Sequence, residues 1–316
     1  MRDPAIHDAL LVGVGPAGAA LGLVLARRGL RVTALERHAD FSREFRGEGL
    51  QQSGYRVLQE LLGADVERLP TRRFTEIQLA FGPRVVRGSV RGADLEHMRL
   101  VPQPPLLELL TERAARYPGY RLERGVVVRD LIVEDGRVVG VRATGPDGPR
   151  ELRARLVIGV DGRSSIVRKR LAIELDLLAQ RFDVLWARGD LGELMPADCA
   201  HAEVLREGGL VIAFHSPAGG QQIGVIIEKG GYRRLRDQGE AASLGWVRER
   251  CSPRTAAALA GDVGKPVLLD VICGRARRWS APGALLLGDA AHPMSPVGAQ
   301  GINMALRDVI VAANHL

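Results

Sequence analysis

Six residues near the N-terminus restrict this chain more than any other feature: Gly13-Val14-Gly15-Pro16-Ala17-Gly18 fits G-x-G-x-x-G. Asp8 to Val14 is a short apolar run suited to a buried parallel strand, and Pro16 to Gly29 carries small and aliphatic residues at helical spacing up to a terminal glycine. Arg31 to Glu36 reads as a second strand, so the chain opens as a βαβ unit whose right-handed crossover sets both strands parallel in one sheet. Gly13 permits a tight turn, Gly15 lets a pyrophosphate approach the backbone, and Gly18 lets helix and strand pack closely. The helix start adds N–H groups without partners and about half a positive charge, which suits a diphosphate. Glu36 ends the second strand about 20 residues on, where its carboxylate can accept both hydroxyls of an adenosine ribose and would repel a 2′-phosphate. That favours FAD or NAD over NADP in this turn. Arg37 reads equally as a contact or as a solvated charge.

The run from Ala9 to Ala26 carries no charge and is long enough to span a membrane. Four glycines and Pro16 break it, Asp3 and Asp8 precede it, and its two halves differ in periodicity, so it reads as strand, turn and helix. No integral membrane segment is expected. The chain has 316 residues, 46% hydrophobic and 26% charged, which excludes disorder and fibre and allows one large domain or two modest ones. A formal net charge of +7 would suit nucleic acid, but the arginines are scattered, without a block of like charge or interleaved aromatics. Nucleic acid is therefore not an expected partner. Cys199, Cys251 and Cys273 are odd in number and outside any C-x-x-C spacing, which suggests neither disulfide framework nor metal site and points to a reducing cytoplasm.

Further along, Gln51 to Leu62 reads as a helix stopped by Gly63, and Phe74 to Val90 as short strands about Gly82-Pro83. Pro104-Pro105 open a helix through Arg116, Val126 to Ala143 forms a hairpin about Asp135-Gly136, and Leu152 to Val160 is a buried strand. Leu178 to Cys273 favours sheet, with Gly209 to Phe214 and Gln222 to Glu228 joined across Ala218-Gly219-Gly220 and helical spacing near Trp246. Ala284 to Leu287 is a last buried strand, followed by a Gly/Pro-rich loop and a helix from Gly301. Together these give a nucleotide-binding domain of residues 1–73, 100–177 and 274–316, interrupted by a mixed sheet domain of residues 74–99 and 178–273.

Two later segments repeat the strand-to-helix design. Val157 to Arg168 delivers Asp161-Gly162 into a helix start, and Gly288-Asp289-Ala290-Ala291-His292-Pro293 does the same ahead of Pro296, Gly298, Gln300, Gly301, Ile302, Asn303 and Asp308. In this order the three motifs resemble the FAD-dependent aromatic hydroxylases, the single-component flavoprotein monooxygenases that include para-hydroxybenzoate hydroxylase, over nearly the whole chain. The resemblance implies an α/β fold: a Rossmann-like FAD-binding domain of the GR2 type with an inserted mixed β-sheet substrate domain. It also implies a C-terminal region beyond the last helix, so either a truncation or an unusually short member is expected. Arg46 in Phe45-Arg46-Gly47-Glu48-Gly49, and Gln103 before Leu106 to Leu110, match the family's flavin-contacting arginine and glutamine. Asp161 and Arg168 are implied to serve the pyrophosphate side, and Asp289 the O3′ hydroxyl of the ribityl chain. Pro296 to Asn303 would then pass the isoalloxazine, with helix-start N–H groups facing charge that develops at N1 and O2.

The implied reaction uses NAD(P)H as a transient co-substrate to reduce FAD, after which O2 adds at flavin C4a and the resulting hydroperoxide hydroxylates a phenolic carbon. Pro296 matches the family's proline, whose carbonyl lies at the edge shared by flavin and substrate. A base near the phenol would help; His215 is the first candidate and Tyr232 the next, each also readable as an ordinary surface or core residue. His292 reads as structural. No arginine lies between Gly209 and Glu228, where para-hydroxybenzoate hydroxylase holds its substrate's carboxylate. A larger or carboxylate-free aromatic substrate, polyketide-like, is therefore expected, with Val211, Ile212, Phe214, Ile223 and Val225 as candidate lining. The competing readings are an FAD-dependent isoprenoid reductase of the geranylgeranyl type and a non-catalytic flavin- or NAD-binding module. A halogenase fits less well, since no Trp-x-Trp-x-Ile-Pro segment is present. No metal is expected, and a homodimer is left open.

Overall fold

A computed structural model describes residues 6–42, 47–92, 97–237 and 242–316. The opening unit forms as its spacing predicts. His7–Val12 is a strand, Pro16–Arg27 a helix with Pro16 in its first turn, and Val32–Glu36 the parallel neighbour of the first strand. Gly29, at φ +78°, takes the left-handed turn after the helix that a side chain would disfavour. Five strands run parallel in the order Ala284–Leu286, Gly148–Gly159, His7–Val12, Val32–Glu36 and Tyr120–Arg124.

Strand alternation sorts the side chains of this sheet into two cores. Ala9, Leu11, Val32, Ala34 and Ile158 pack under the helices Pro16–Arg27, Gln103–Ala115 and Gly301–Ala313. Leu10, Val12, Leu35 and Val157 pack against the hairpin Val127–Glu134 and Arg137–Gly145. Gly148–Gly159 serves both layers: its first half pairs antiparallel with that hairpin, and its second half joins the parallel sheet.

The second sheet has seven strands in the order Val267–Leu269, Phe182–Gly189, Gln221–Glu228, Leu210–His215, Cys199–Val204, Glu76–Phe81 and Arg84–Ser89. Its neighbours are antiparallel except Cys199–Val204 beside Glu76–Phe81. Both excursions into this sheet are pinned at their roots. Arg72 and Leu100 exchange backbone hydrogen bonds, and Leu175–Leu178 pairs antiparallel with Cys273–Ala276. One face is covered by three short helices, Gly231–Asp237, Ala242–Arg250 and Pro253–Ala258. Helical spacing was legible only near Trp246, because the other two helices carry few apolar residues to mark a face. Among the described residues no helix is long and apolar enough to cross a membrane.

Candidate active site

The C-terminal ends of the parallel strands meet at one edge, where open α/β sheets bind ligands. Gly13 takes φ +101°, and a Cβ there would lie 2.7 Å from the Val160 carbonyl oxygen and 2.8 Å from Asp161 Cα. The phosphate turn and the Asp161 corner are thus in contact. A Cβ on Gly18 would collide with the Gly13 carbonyl, so this glycine sets how closely helix and strand pack. At Gly15 a Cβ would meet no atom within 4 Å, so the chain's own packing gives no reason for a glycine there. That open cradle lies at the start of the helix led by Pro16 and Ala17 and fits a diphosphate. The third corner joins from the other side: a Cβ on Gly288 would lie 3.6 Å from Ala17 Cβ.

Each aspartate corner has its own bonding. Asp161 Oδ2 accepts from the N–H of Ile166, at 2.6 Å, and of Val167, while its buried Oδ1 has no partner. Burial raises the Asp161 pKa against these hydrogen bonds. The orphaned oxygen is a ready acceptor for a ligand hydroxyl. Arg168 is buried and donates to the Ala290 carbonyl from Nη1 and to the Arg163 carbonyl from Nη2, both at 2.8 Å. Two of its five N–H groups therefore staple the two corners to each other. Asp289 is half-buried in the turn Gly288–Ala290.

Glu36 is buried, and its two oxygens accept from Val14 N at 2.9 Å and His38 N at 3.1 Å. The carboxylate thereby ties the end of its strand to the glycine turn. Arg37 is exposed, its Nε turned to His38. Arg46 lies outside the described residues. Gln103, the first residue of its helix, donates from Nε2 to the Gly47 carbonyl at 3.0 Å and so holds the segment that follows Arg46.

Before the last helix, Pro296 and Gly298 are exposed, Gly298 at φ +88° and Ala299 at φ +52°. The Pro296 carbonyl closes a turn with the Ala299 N–H at 3.1 Å. The helix begins at Gly301 after Gln300, so the first N–H groups, of Gly301, Ile302 and Asn303, lack intrahelical acceptors. Asn303 contributes only its backbone. Its Oδ1 accepts from Gln51 N and its Nδ2 donates to the Ala299 carbonyl, so the side chain stitches the loop to the helix Gln52–Leu62. His292 Nε2 lies 2.6 Å from Asp308 Oδ2, which also accepts from the Gly288 N–H, so the imidazole is tied to the last helix.

The substrate candidates divide between the two faces of the second sheet. By the two-residue alternation, His215 projects with Val211 and Ala213, away from Phe214 and Ser216. Tyr232 packs in the same helix-covered layer. This places neither proposed base on the side that approaches the first sheet. Val211, Ile223 and Val225 also lie in that covered core, whereas Ile212 and Phe214 lie opposite with Trp186. Alternate residues of one strand cannot share a wall, so the five expected lining residues divide between the two faces, three on the helix-covered side and two opposite.

The side approaching the first sheet holds a group that sequence reasoning passed over. Glu48, 2% exposed, accepts at Oε1 from Ser216 Oγ at 3.0 Å and from Gln222 Nε2 at 2.9 Å. Arg188 Nη2 stands 3.6 Å from the same oxygen. Burial raises the Glu48 pKa, partly offset by these partners. An arginine is therefore present here after all, delivered by Phe182–Gly189 rather than by the segment searched. The only sequence signal was an acidic residue between two glycines. Its partners are 168 and 174 residues away.

The profile of the FAD binding domain family matches residues 7–316. The 6-methylpretetramide 4-monooxygenase of Streptomyces rimosus is 36% identical over 98% of this chain and 75% of its own length. Digeranylgeranylglycerophospholipid reductase 1 of Methanopyrus kandleri is 28% identical over 95% of this chain and 77% of its own. The crystal structure of pqsL, a probable FAD-dependent monooxygenase from Pseudomonas aeruginosa, superposes with a TM-score of 0.78 at 24% identity, covering 98% of this chain and 85% of that one. This last likeness speaks to the fold.

Proposed function

The chain belongs to the FAD binding domain family and is an FAD-dependent oxidoreductase, and from that premise we propose that it hydroxylates an aromatic, polyketide-like phenol with NAD(P)H and O2. The carrying observation is the single edge at which Gly15, Asp161 and Gly288 converge, facing a second sheet whose near side presents Trp186, Ile212 and Phe214. When bound, FAD supplies hydride acceptance and oxygen activation. The protein's own part is positional. Gly15 and the N–H groups beyond it hold the diphosphate, Glu36 takes the adenosine ribose, and Asp161 Oδ1 and Asp289 take hydroxyls along the linker. The N–H groups of Gly301 to Asn303 would favour negative charge on a flavin ring held at this helix start. Trp186 and Phe214, tilted at a centroid distance of 6.0 Å, give an aromatic wall for a ring system. We place the enzyme in a reducing cytoplasm, in keeping with three cysteines that are buried and unpaired.

The test is a screen of phenols on the purified yellow protein, following NADH and NADPH oxidation, oxygen uptake, hydrogen peroxide and product mass. Phenol-stimulated, oxygen-dependent turnover to a product one oxygen atom heavier is expected. Oxygen-independent reduction of a prenyl lipid would instead establish the reductase reading suggested by the Methanopyrus likeness.

A further inference from the structure

Met98 stands where the two halves of the molecule face each other. It precedes the short strand Arg99–Leu100, which pairs antiparallel with Gly49–Leu50. A Cβ on Gly49 would lie 3.4 Å from Met98 Cε, 3.8 Å from its Sδ and 2.5 Å from Ala299 Cβ, so the thioether and the loop that follows Pro296 crowd one point. Met98 also packs with Ile77, Ala200 and Phe214 over Phe74, Val90 and Leu100. Phe214 belongs to the wall that carries Trp186. The sulfur therefore lies between the loop assigned to the flavin ring and the wall assigned to the substrate.

A thioether is uncharged, polarizable and nucleophilic, and it competes with any other acceptor for electrophilic oxygen. The other described methionines are placed differently. Met195 is buried in the helix-covered core on the far face of the second sheet. Met294, just before Pro296, and Met304, in the last helix, are half-buried like Met98. Exposure alone would treat Met98, Met294 and Met304 alike. Position separates them, because oxygen destined for a phenol must be delivered toward Phe214 and Trp186, where Met98 packs.

We propose that Met98 is oxidised to its sulfoxide by the peroxide of this reaction when no phenol is bound, which makes it the site that limits the life of the idling enzyme. This rests on the hydroxylase reading above. The sulfur lone pair forms a bond to one peroxide oxygen as the O–O bond breaks. Counted as hydrogen peroxide, the oxidant gives that oxygen to sulfur, and its second oxygen keeps both hydrogens and leaves as water. Sulfur loses two electrons and the peroxide, itself made from O2 and NAD(P)H, gains them. A bound phenol takes the oxygen instead and shields the thioether. The sulfoxide sets a polar oxygen against Phe74, Val90 and Leu100, which weakens the apolar wall beside the substrate.

The experiment uses the flavin-loaded protein without phenol, photoreduced under nitrogen with EDTA and opened to air over repeated cycles, with catalase present to remove peroxide free in solution. Peptide mass spectrometry reads the oxygen added to each methionine. Met98 is expected to be oxidised at least about tenfold faster than Met294 or Met304, with Met195 unchanged. Adding the phenol of the screen that stimulates turnover most is expected to suppress the Met98 signal as oxygenated phenol appears. Met98→Leu is expected to keep its flavin and to retain phenol-stimulated turnover through cycles that inactivate the wild type. Equal oxidation of Met98, Met294 and Met304 while oxygenated phenol still forms overturns the proposal and leaves the hydroxylase reading standing. A Met98 signal that phenol does not lower, or a Met98→Leu protein inactivated as fast as the wild type, does the same. If no phenol gains an oxygen atom, the hydroxylase reading fails and takes the proposal with it.

Discussion

Three glycines that look equivalent in a motif have different physical duties here. Gly18 is required by the protein itself, since any Cβ meets the Gly13 backbone, whereas Gly15 faces open space. Gly18→Ala is therefore expected to destabilise the apoprotein by several kcal/mol, the usual cost of overpacking a core contact that backbone must relieve. Gly15→Ala is expected to leave the apoprotein's unfolding curve within about 0.5 kcal/mol of wild type while lowering FAD affinity at least about tenfold. Denaturation of flavin-stripped protein and flavin titration separate the two. A Gly15→Ala protein that binds FAD as the wild type does would show that the diphosphate lies elsewhere. At this scale the motif told the residue types but not the distinction, which depends on which atoms of other segments crowd each Cα.

Among the elements, the last helix and the loop before it carry a local backbone constraint. Ala299 holds φ +52°, a left-handed conformation that costs an alanine about 1–2 kcal/mol. Its Cβ also leaves no room for a side chain on Gly49. Gly49→Ala is expected to displace the loop and weaken flavin binding, and Ala299→Gly in the same chain is expected to restore much of it, a coupling that a double-mutant cycle measures. The middle of this helix is joined to the Gly288 corner by Asp308, which meets both His292 and the Gly288 N–H. Burial alone would lower the His292 pKa, but the Asp308 hydrogen bond and charge outweigh it and hold the folded value above the ordinary 6.5. The protonated pair therefore contributes stability that is complete below pH 6.5 and is lost as pH rises through the folded value. Urea denaturation at pH 6 and pH 9 is expected to show this loss in the wild type and its absence in Asp308→Asn. The helix itself was legible from Gly301 onward, but its partners at Gln51 and Gly288 were not, because they come from distant strands and turns.

For the molecule as a whole, the decisive relation is between segments that are far apart in sequence. Arg168 bridges the two aspartate corners through a pair of backbone carbonyls, so Arg168→Met is expected to cost about 1–3 kcal/mol for each stranded acceptor. Flavin affinity is expected to fall with it; stability lost without affinity would show that the corners act independently. The parallel strands, the glycine turn and the two aspartate corners were legible in the sequence, because short-range patterns report them: apolar runs, glycines at fixed offsets, and an acid at a strand end. The substrate side was not. Composition marked Gly209 to Glu228 as sheet, yet could not say which alternate residues share a face, and so Val211, Ile223 and Val225 were grouped with Ile212 and Phe214, which lie on the opposite side. Glu48 was quoted only as a neighbour of Arg46, since nothing near it announces Ser216, Gln222 or Arg188. The sequence by itself determined the kind of ligand and the edge of the sheet that receives it, because backbone turns and helix starts are specified locally. That Glu48 is buried and held by Ser216 and Gln222 was decided only when two sheets closed on each other, because burial and the orientation of hydrogen-bond donors are properties of packed neighbours rather than of a chain.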